Sequence, residues 1–349
     1  MQAPLVTIVI ICWNNKRYLE DCLSSVLSQI YPNIEVFLAD NASSDGSADY
    51  VRRNFPSITV IQNERNLGFA EGNNVAMRQA KGKYIFTLNP DTKMNNNCIE
   101  ELVKVAERDK DIGSCSPKIL LFDDPKRINS AGGDMVLRTG DNIARGFYSI
   151  DDGRYDKEEE VFGSSASASF YRKKVLNKVG LFDKDLFTYY EDVDMNWRFK
   201  LAGWKCIYVP NAIVYHHHAG TLDDYNPIKI FYLHRNKLYV ILKNYPLKLL
   251  NYYLKIIIKN ELLFFRLSVR EKNLAGIKGQ LSVVLSLPKI LFKRIKQQPK
   301  RKISAKECIA WIEKNERYYE ESNGLKNVQA YFEDLRMRKA KMKEIQIIF

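Results

Sequence analysis

The stretch Leu5-Val6-Thr7-Ile8-Val9-Ile10-Ile11 is an unbroken run of mostly apolar, β-branched residues, and this pattern predicts a buried β-strand. Three runs of the same kind follow, at 34–39, 58–61 and 84–88, and a segment with helical spacing of its apolar residues comes after each. Strands that alternate with helices are joined by crossovers and therefore run parallel. The sequence thus predicts an α/β fold with a doubly wound, mostly parallel sheet that is covered on both faces.

The middle of the chain has a different pattern. Between residues 112 and 170, strand-like runs alternate with turn dipeptides such as Gly132-Gly133 and Asp152-Gly153, which predicts an antiparallel addition to the sheet. Helical spacing then predicts helices at 172–179 and 190–202, and a short apolar run predicts a strand at 206–209.

The last third of the chain is rich in basic and aromatic residues. Long helical patterns begin after Pro227, with expected breaks near Pro246, Pro288 and Pro299. Residues 226–349 contain 27 Lys and Arg against 10 Asp and Glu, whereas residues 1–225 contain 27 against 31. We therefore divide the chain into an α/β domain at 1–225 and a basic helical extension at 226–349. Such an excess of positive charge favours binding to a polyanion or to an anionic membrane surface.

Length and composition exclude several classes of protein. With 349 residues and 46% hydrophobic content, the chain can bury a real core, which excludes a disordered tail or a disulfide miniprotein. No apolar run reaches the roughly 18 to 20 residues of a spanning helix. Six cysteines are scattered without metal-type spacing, and no charged leader precedes the first strand. Reduced thiols, a cytosolic location and no signal peptide are therefore expected.

Asp40 directly follows the second predicted strand. Ligands of doubly wound sheets bind beyond the carboxyl ends of the strands, so a carboxylate placed there can accept a hydrogen bond from the N–H of a nucleotide base. The Ser- and Asp-rich stretch 43–47 then caps the next helix. The alternative is that Asp40 and Ser43 only shape a turn.

Asp91 lies in Leu88-Asn89-Pro90-Asp91-Thr92, directly after the fourth predicted strand. A carboxylate at this edge can hold a divalent cation, Mg²⁺ or Mn²⁺, that bridges the two phosphates of a nucleoside diphosphate. A type I turn with proline at its second position is the competing explanation for this tetrapeptide.

An acidic helix start follows at 189–198. Asp194 and Arg198 are four residues apart and should pair, while Glu191 and Asp192 are left to face a cleft. A carboxylate there can act as a general base, and we assign the catalytic role to Asp192 with Glu191 beside it. Acidic residues also favour any helix N-terminus because of the helix dipole, so a purely structural role remains open.

Two further features could contribute to a site. His216 belongs to Tyr215-His216-His217-His218, where alternation sends His216 and His218 to the side opposite His217, and a single imidazole could join Asp91 around a cation. Arg65, in the glycine-containing loop 63–74, could reach a phosphate. The chain lacks GxGxxG, Walker and GxSxG motifs, which argues against a dehydrogenase, a P-loop protein and an α/β-hydrolase.

Taken together and in this order, these stretches resemble glycosyltransferase family 2 and specifically its rhamnosyltransferase-like branch. The resemblance extends over about residues 5–220. The matching stretches are 6–15, 40–47, 66–70 with 72–74, 88–92, 182–183 with Phe187, 190–194 with Arg198, 202–204, and 208–210 before His216.

The resemblance implies a GT-A fold and transfer of a sugar, with inversion, from a nucleoside-diphosphate donor to a hydroxyl group. It places Asp40 at the nucleotide base, Asp91 at the last position of the metal-binding DxD motif, Asp192 as the base and His216 near the metal. We further predict donor contacts for Asn14, Asn41, Arg65, Asn66, Gly68, Asn73 and Asn89. Asn89 replaces the first Asp of DxD, and Ala166 stands where relatives often carry Gly.

The function expected from the sequence is an inverting glycosyltransferase at the inner face of the cytoplasmic membrane. It would add rhamnose or a similar deoxyhexose to a lipid-linked or polysaccharide acceptor in cell-surface glycan synthesis. A sugar nucleotidyltransferase and a non-catalytic polyanion-binding protein are the alternatives, and no nucleic-acid partner is expected. The C-terminal helical region carries an apolar face bordered by lysines, formed by Leu249, Leu250, Tyr253, Leu254, Ile257 and Ile258. We expect this face to contact the membrane or, alternatively, to pack in a core.

Overall fold

The computed structural model describes residues 3–217 and 226–335. Within these ranges the strands are β1 (Val6–Cys12), β2 (Ile34–Asp40), β3 (Thr59–Gln62), β4 (Tyr84–Leu88), β5 (Thr92–Met94), β6 (Ile112–Leu121), β7 (Ile128–Ala131), β8 (Asp134–Val136), β9 (Asn142–Ala144), β10 (Glu159–Val161), β11 (Ala168–Arg172) and β12 (Lys205–His216). The helices are α1 (Lys16–Leu27), α2 (Ser47–Asn54), α3 (Gly68–Gln79), α4 (Cys98–Arg108), α5 (Lys173–Val179), α6 (Glu191–Leu201), α7 (Pro227–Asn244), α8 (Leu247–Arg270), α9 (Leu274–Gln297) and α10 (Ala305–Glu321).

The main sheet confirms the predicted doubly wound architecture. Its strand order is β10-β12-β6-β11-β4-β1-β2-β3, and β1 pairs in parallel with both β2 and β4. Every residue of β1 and β4 is buried, because helices cover both faces of the sheet. The unbroken apolar runs of the sequence therefore correspond to central strands.

The predicted antiparallel addition is only partly correct. The strand β11 runs antiparallel to both β4 and β6, but β6 itself pairs in parallel with β12. The predicted strand at 206–209 is too short, since β12 continues to His216 through a register shift between Val209 and Ile213. Pro210 has no N–H to donate, and the irregularity lets the strand continue past it.

The C-terminal helices form a second core together with α6. Trp197 and Leu201 of α6 pack there with Tyr245 and with Ile312 of α10. Pro246 separates α7 from α8 as predicted, but Pro288 lies inside α9 and does not end it. The predicted apolar face of α8 is divided: Leu249, Tyr253 and Ile257 are buried in this core, whereas Leu254 and Ile258 are exposed.

A buried ion-pair network connects the C-terminal helices to α6. Lys243 of α7 contacts Asp183 at 2.6 Å and Asp194 at 2.8 Å, and Asp194 also pairs with Arg198 at 2.9 Å, as predicted. Lys293 of α9 pairs with Asp183. Burial alone would raise the pKa of Asp194, but Lys243 and Arg198 reverse this effect and hold the pKa below its usual value.

All six cysteines lie within the described residues and are buried and unpaired. This agrees with the prediction of reduced thiols that pack as small apolar side chains.

Candidate active site

The carboxyl ends of several strands meet at one edge of the sheet. In the register of β1 with its neighbours, Cys12 lies beside Asp40 of β2, and Ile10 lies beside Leu88 of β4. The start of the antiparallel strand β11 is at the same edge, since Ala168 aligns with Leu88. His216 ends β12, which is parallel to β6, and aligns with Thr92 just after Asp91. The fold therefore brings residues from distant parts of the sequence to a single edge.

Asp40 is fully buried at the end of β2. Its Oδ2 atom accepts a hydrogen bond from the backbone N–H of Ser43 at 3.1 Å, which is the turn role that the sequence left open. Its Oδ1 atom is also buried but accepts no hydrogen bond from the described residues. A buried acceptor without a donor is costly, so this atom is suited to an N–H group of a ligand.

Asn14 joins the loops that follow β1 and β2. Its backbone has a left-handed φ of 54°, and its backbone N–H donates to Ser43 Oγ at 2.9 Å. Its Oδ1 atom accepts from the backbone N–H of Ser44 at 2.8 Å. In this structure Asn14 therefore shapes the rim beside Asp40.

The loop between β3 and α3 is fixed by Asn41. The Nδ2 atom of Asn41 donates to the carbonyl of Gly68 at 2.9 Å, and its Oδ1 atom accepts from Asn63 at 2.9 Å. Asn66 accepts from the N–H of Gly68 at 2.8 Å. The amides of Asn41 and Asn66 thus position this loop, while Arg65 within it is exposed.

Gly68 and Asn73 hold α3 close to the rest of the site. Gly68 has a φ of +75°, and a Cβ atom there would lie 2.5 Å from a ring carbon of Phe187 and 2.6 Å from its carbonyl oxygen. The N–H of Ala70 donates to the same carbonyl at 3.0 Å. Asn73 is buried, and its Oδ1 atom has no hydrogen-bond partner among the described residues.

Asp91, Asn89 and His216 converge on one point. Asp91 Oδ1 lies 3.4 Å from His216 Nε2, and Asn89 Nδ2 lies 3.5 Å from the same nitrogen. On the other side of the ring, His216 Nδ1 is 3.0 Å from Asn129 Oδ1. The amide oxygen of Asn129 can only accept, so His216 donates from Nδ1, and its Nε2 atom is the ring nitrogen that faces Asp91.

These residues fit a divalent cation that is shared with a diphosphate. The Oδ1 atoms of Asp91 and Asn89 are buried and accept no hydrogen bond from any residue that the structure describes. No group of three or more His, Cys, Asp or Glu side chains in the described ranges could hold a metal ion alone. A carboxylate and one imidazole suit Mg²⁺ or Mn²⁺ only when phosphate oxygens and water complete the coordination. The turn interpretation also holds, because Thr92 Oγ1 donates to the Asn89 carbonyl at 2.6 Å.

Asp192 lies in the first turn of α6, where its carboxylate is held from several sides. Its Oδ2 atom accepts from the backbone N–H of Ala166 at 3.1 Å, and its Oδ1 atom accepts from the N–H of Val193 at 2.8 Å. Burial raises the pKa of Asp192, and these two N–H groups partly offset that effect. A raised pKa suits a carboxylate that must take a proton from a hydroxyl group.

Glu191 is more deeply buried than Asp192. Burial and the nearby charge of Asp192 raise the pKa of Glu191 well above its ordinary value. Its Oε2 atom has no hydrogen-bond partner among the described residues.

The loop before α6 has an unusual backbone that a helix from the C-terminal region stabilises. Phe187, Tyr189 and Tyr190 have positive φ values between 63° and 67°, which are unfavourable for aromatic residues. Asn236 of α7 is fully buried, and its Nδ2 atom lies 2.7 to 2.8 Å from the carbonyl oxygens of Leu186, Thr188 and Tyr189. The C-terminal region therefore helps to position Asp192.

Three residues of this site were not predicted from the sequence: Asn129, Asp134 and Asn236. Asp134 is buried, and burial together with the charge of Asp192 raises the pKa of its carboxyl group well above its usual value. Its one sequence signal is the Gly132-Gly133 pair before it, which we interpreted only as a turn. Asn129 and Asn236 are single amides, and nothing in their local sequence distinguishes them from solvent-exposed asparagines.

The sequence and the fold both match known proteins. The family described as "Glycosyl transferase family 2" matches residues 7–180. The chain belongs to this family. An N-acetylglucosaminyl-diphospho-decaprenol L-rhamnosyltransferase of Mycobacterium tuberculosis is 25% identical over an alignment of 260 residues that covers 69% of this chain and 84% of the relative. The family prediction made from the motifs is thereby confirmed.

Two solved structures share the fold. N-acetylgalactosaminyltransferase GalNAc-T7 with UDP, GalNAc and Mn²⁺ superposes with a TM-score of 0.56 at 17% identity, over 69% of this chain and 48% of that one. A mannosyltransferase of Pyrobaculum calidifontis with GDP-Man and Mn²⁺ superposes with a TM-score of 0.51 at 16% identity, over 94% of this chain and 88% of that one. This family 2 protein is therefore a glycosyltransferase, and it has the GT-A fold.

Proposed function

We propose that this glycosyltransferase moves rhamnose or a similar deoxyhexose from a nucleoside-diphosphate donor to a hydroxyl group of a lipid-linked or polysaccharide acceptor. The observation that carries the proposal is the meeting of Asp40, Asp91 with His216, and Asp192 at one edge of the sheet. The similarity to the mycobacterial L-rhamnosyltransferase supports the choice of sugar and of a lipid-linked acceptor.

Each of these residues has a distinct role in the proposed transfer. Asp40 Oδ1 accepts a hydrogen bond from the base of the donor nucleotide. Asp91 and His216 would hold a divalent cation, and such a cation would supply positive charge for the departing diphosphate. Asp192 takes the proton of the acceptor hydroxyl while the new bond to the anomeric carbon forms and the bond to the diphosphate breaks. A single displacement of this kind inverts the anomeric centre.

A panel of nucleoside-diphosphate sugars tests the donor. Wild-type protein and Asp192→Asn are incubated with rhamnose donors of different bases and with hexose donors, in Mn²⁺ or in EDTA, and the released nucleotide is measured. We expect the wild type to release nucleotide from a rhamnose donor in Mn²⁺. The Asp192→Asn variant should release none. Faster release from a hexose donor would contradict the proposed sugar, and equal release by Asp192→Asn would contradict the proposed base.

We further propose that helices α8 and α9 bind the surface of an anionic membrane. Both carry exposed apolar residues at helical spacing, namely Leu247, Leu254, Ile258, Leu262, Phe265 and Val269 on α8 and Leu274, Leu281, Leu285, Phe292 and Ile295 on α9. The two stripes adjoin, because Leu247 and Ile295 line one surface pocket with Arg294 and Arg301. Exposed basic residues border the stripes and complement anionic headgroups, among them Lys255, Lys259, Arg266 and Lys278.

This contact is peripheral rather than spanning. We expected no segment long and apolar enough to span a membrane, but residues 274–300 are so by length and composition. However, Lys289 pairs with Asp185 at 2.5 Å, and Lys293 pairs with Asp183 and Asp185 ahead of α6. These pairs hold α9 against the catalytic domain, so a surface orientation at the inner face of the cytoplasmic membrane is proposed. The buried, unpaired thiols agree with a reducing compartment.

Vesicle sedimentation tests the membrane surface. Wild-type protein should sediment with phosphatidylglycerol-containing vesicles and less with phosphatidylcholine vesicles, and salt should release it. The double variant Ile258→Ser, Leu285→Ser should stay in the supernatant. Leu27→Ser changes an exposed leucine of α1 and serves as the matched control. Unchanged sedimentation of the double variant would refute this surface.

A further inference from the structure

A surface cleft lies where three of the C-terminal helices meet. It has a volume of about 610 Å³, and it is lined by the start of α8, the end of α9, the start of α10 and the segment between α9 and α10. None of the residues assigned above to the sugar transfer lines it. The cleft is therefore a separate feature of the C-terminal region.

The lining of the cleft is strongly basic. No acidic residue of the described ranges lines it, whereas four basic residues do, namely Lys248, Arg294, Arg301 and Lys306. Within the part of the chain that the structure describes, none of these four side chains forms an ion pair. Several like charges in one cleft repel each other, and an anion placed among them removes that repulsion.

Neighbouring charges of the same helices are paired. Lys289 and Lys293 of α9 pair with Asp185 and Asp183 of the catalytic domain. Glu307 of α10 uses its carboxylate to cap its own helix, since its Oε2 atom accepts from the N–H of Ser304 at 2.6 Å. The cations of the cleft therefore differ from their neighbours in having no acidic partner among the described residues.

Arg294 is the most fixed of the four basic residues. Its Nη1 atom donates to the carbonyl of Leu242 on α7 at 2.7 Å, while its Nη2 atom is buried and has no hydrogen-bond partner among the described residues. A buried donor without an acceptor is costly. Burial also lowers the pKa of Arg294, an effect that an anion beside the guanidinium would oppose. The side chain is thus held in place with one nitrogen suited to an anionic oxygen.

The start of α8 adds backbone donors to the same cleft. Leu247 and Lys248 are its first two residues, and no side chain caps the helix, whose N-cap is Pro246. The first N–H groups of a helix have no acceptor within it, and the helix dipole makes this end positive. These groups therefore reinforce the attraction of the basic side chains for an anion.

The rim of the cleft is apolar. Leu247 and Ile295 line it and are 66% and 72% exposed, and both belong to the apolar stripes of the proposed membrane surface. Cations that border exposed apolar side chains match a phosphate group that carries acyl chains. A soluble polyanion such as RNA would bring its phosphates against these apolar side chains instead.

We propose that this cleft binds the phosphate group of a membrane lipid, with Lys248, Arg294 and Arg301 around the phosphate oxygens. Leu247 and Ile295 then lie beside the upper part of the acyl chains. The inference rests on the proposed membrane surface and adds a defined headgroup site to it. Diffuse attraction between basic helices and an anionic bilayer would need no such site.

A short-chain lipid tests the cleft in the absence of a bilayer and of any sugar donor. Dihexanoyl phosphatidic acid, below its micelle concentration, is titrated into the full-length protein and followed by calorimetry. The wild type should bind it, should bind inorganic phosphate at least about tenfold more weakly because phosphate lacks acyl chains, and should not bind dihexanoyl phosphatidylcholine.

Two double variants with the same loss of charge locate the site. Lys248→Gln, Arg301→Gln removes two cations of the cleft and should weaken binding of dihexanoyl phosphatidic acid by about tenfold or more. Lys259→Gln, Lys278→Gln removes two exposed cations of α8 and α9 that do not line the cleft, and it should stay within about twofold of wild type. All four positions are exposed, so circular dichroism should report an unchanged fold.

A single variant tests the guanidinium itself. Arg294→Lys keeps the positive charge but removes the planar group with its second terminal nitrogen, so the affinity for dihexanoyl phosphatidic acid should fall by about fivefold or more. Circular dichroism again reports whether the variant is folded. A folded Arg294→Lys protein with wild-type affinity would overturn the role of this side chain.

The inference as a whole is overturned by either of two results. The first is an equal loss of affinity in the two double variants, which would indicate diffuse charge. The second is binding of inorganic phosphate as tight as that of the short-chain lipid, which would assign the cleft to free phosphate.

The cleft and the membrane surface can fail separately. If the wild type sediments with anionic vesicles but does not bind dihexanoyl phosphatidic acid, the cleft fails and the surface stands. If it binds the short-chain lipid while Ile258→Ser, Leu285→Ser still sediments like the wild type, the surface fails and the cleft stands.

Discussion

The two sides of the site differ in how many of their buried polar atoms already have partners. On the phosphate side, formed by Asn89, Asp91 and His216, two buried acceptor oxygens accept no hydrogen bond from the described residues. On the base side, formed by Asp192 in the first turn of α6, both carboxylate oxygens accept backbone N–H groups. Unsatisfied acceptors indicate a place for a ligand, whereas a saturated carboxylate indicates a group whose orientation must be fixed.

The largest effect is expected on the base side. Asp192→Asn keeps the shape of the side chain but removes its ability to take a proton, so kcat should fall by about 10²- to 10⁴-fold. Donor affinity, measured by calorimetry, should change little. Asp49→Asn, an exposed acid of α2, is the control. A loss of donor affinity equal to the loss of kcat would show that the two sides are not separate.

The support of the base side should be the next most sensitive feature. Lys243→Met leaves Asp183 and Asp194 buried with fewer positive partners, so the free energy of unfolding should fall by about 3–5 kcal/mol. Chemical denaturation measures this change. Lys289→Met removes an exposed partner of Asp185 and should cost less than about 1 kcal/mol. An equal loss of unfolding free energy in both variants would contradict a stabilising role for the buried ion pairs of Lys243.

The phosphate side should respond to metal rather than to pH. Asp91→Ala removes the carboxylate of the proposed cation site, so the gain in donor affinity produced by Mn²⁺ should fall by about tenfold or more. Calorimetry in Mn²⁺ and in EDTA measures that gain. Asp21→Asn on α1 should preserve it. An undiminished gain in Asp91→Ala would place the cation elsewhere.

Glu191 should give the smallest and most pH-dependent effect. Its folded-state pKa is raised, so its ionisation opposes folding once the pH exceeds the unfolded value of about 4.3. Glu191→Gln should therefore increase the free energy of unfolding by roughly 1–2 kcal/mol at neutral pH and leave it nearly unchanged near pH 4. Denaturation at both pH values tests this. An increase in unfolding free energy of the same size at both pH values would contradict a raised pKa for Glu191.

The sequence predicted the sheet well because its central strands are buried on both faces. A residue such as Ile8 needs no partner of particular chemistry, so an apolar run suffices to identify the strand. The end of β12 was missed because Pro210 interrupts the local pattern, and pairing with β6 carries the strand past it. The position of Asp192 was predicted from its motif, but its raised pKa depends on burial that only the fold creates.

The supporting residues could not be predicted for a different reason. Asp134 lies 58 positions before Asp192, and the close backbone contact of Gly133 with Gly163 and Ser164 brings its hairpin to the loop whose Ala166 binds Asp192. Asn236 belongs to the helical region that we expected to face a membrane or acceptor, yet its amide contacts the loop before Asp192. The amphipathic pattern of α8 likewise could not reveal which apolar residues a second core would cover.

The close approach of Gly68 to Phe187 has a consequence for loop engineering. The loop that begins α3 and the loop that leads to Asp192 are directly joined, since Ala70 donates its N–H to the Phe187 carbonyl. Grafting the α3 loop of another glycosyltransferase would therefore shift the loop before Asp192 as well. Both loops must be exchanged as a unit, with glycine kept at position 68.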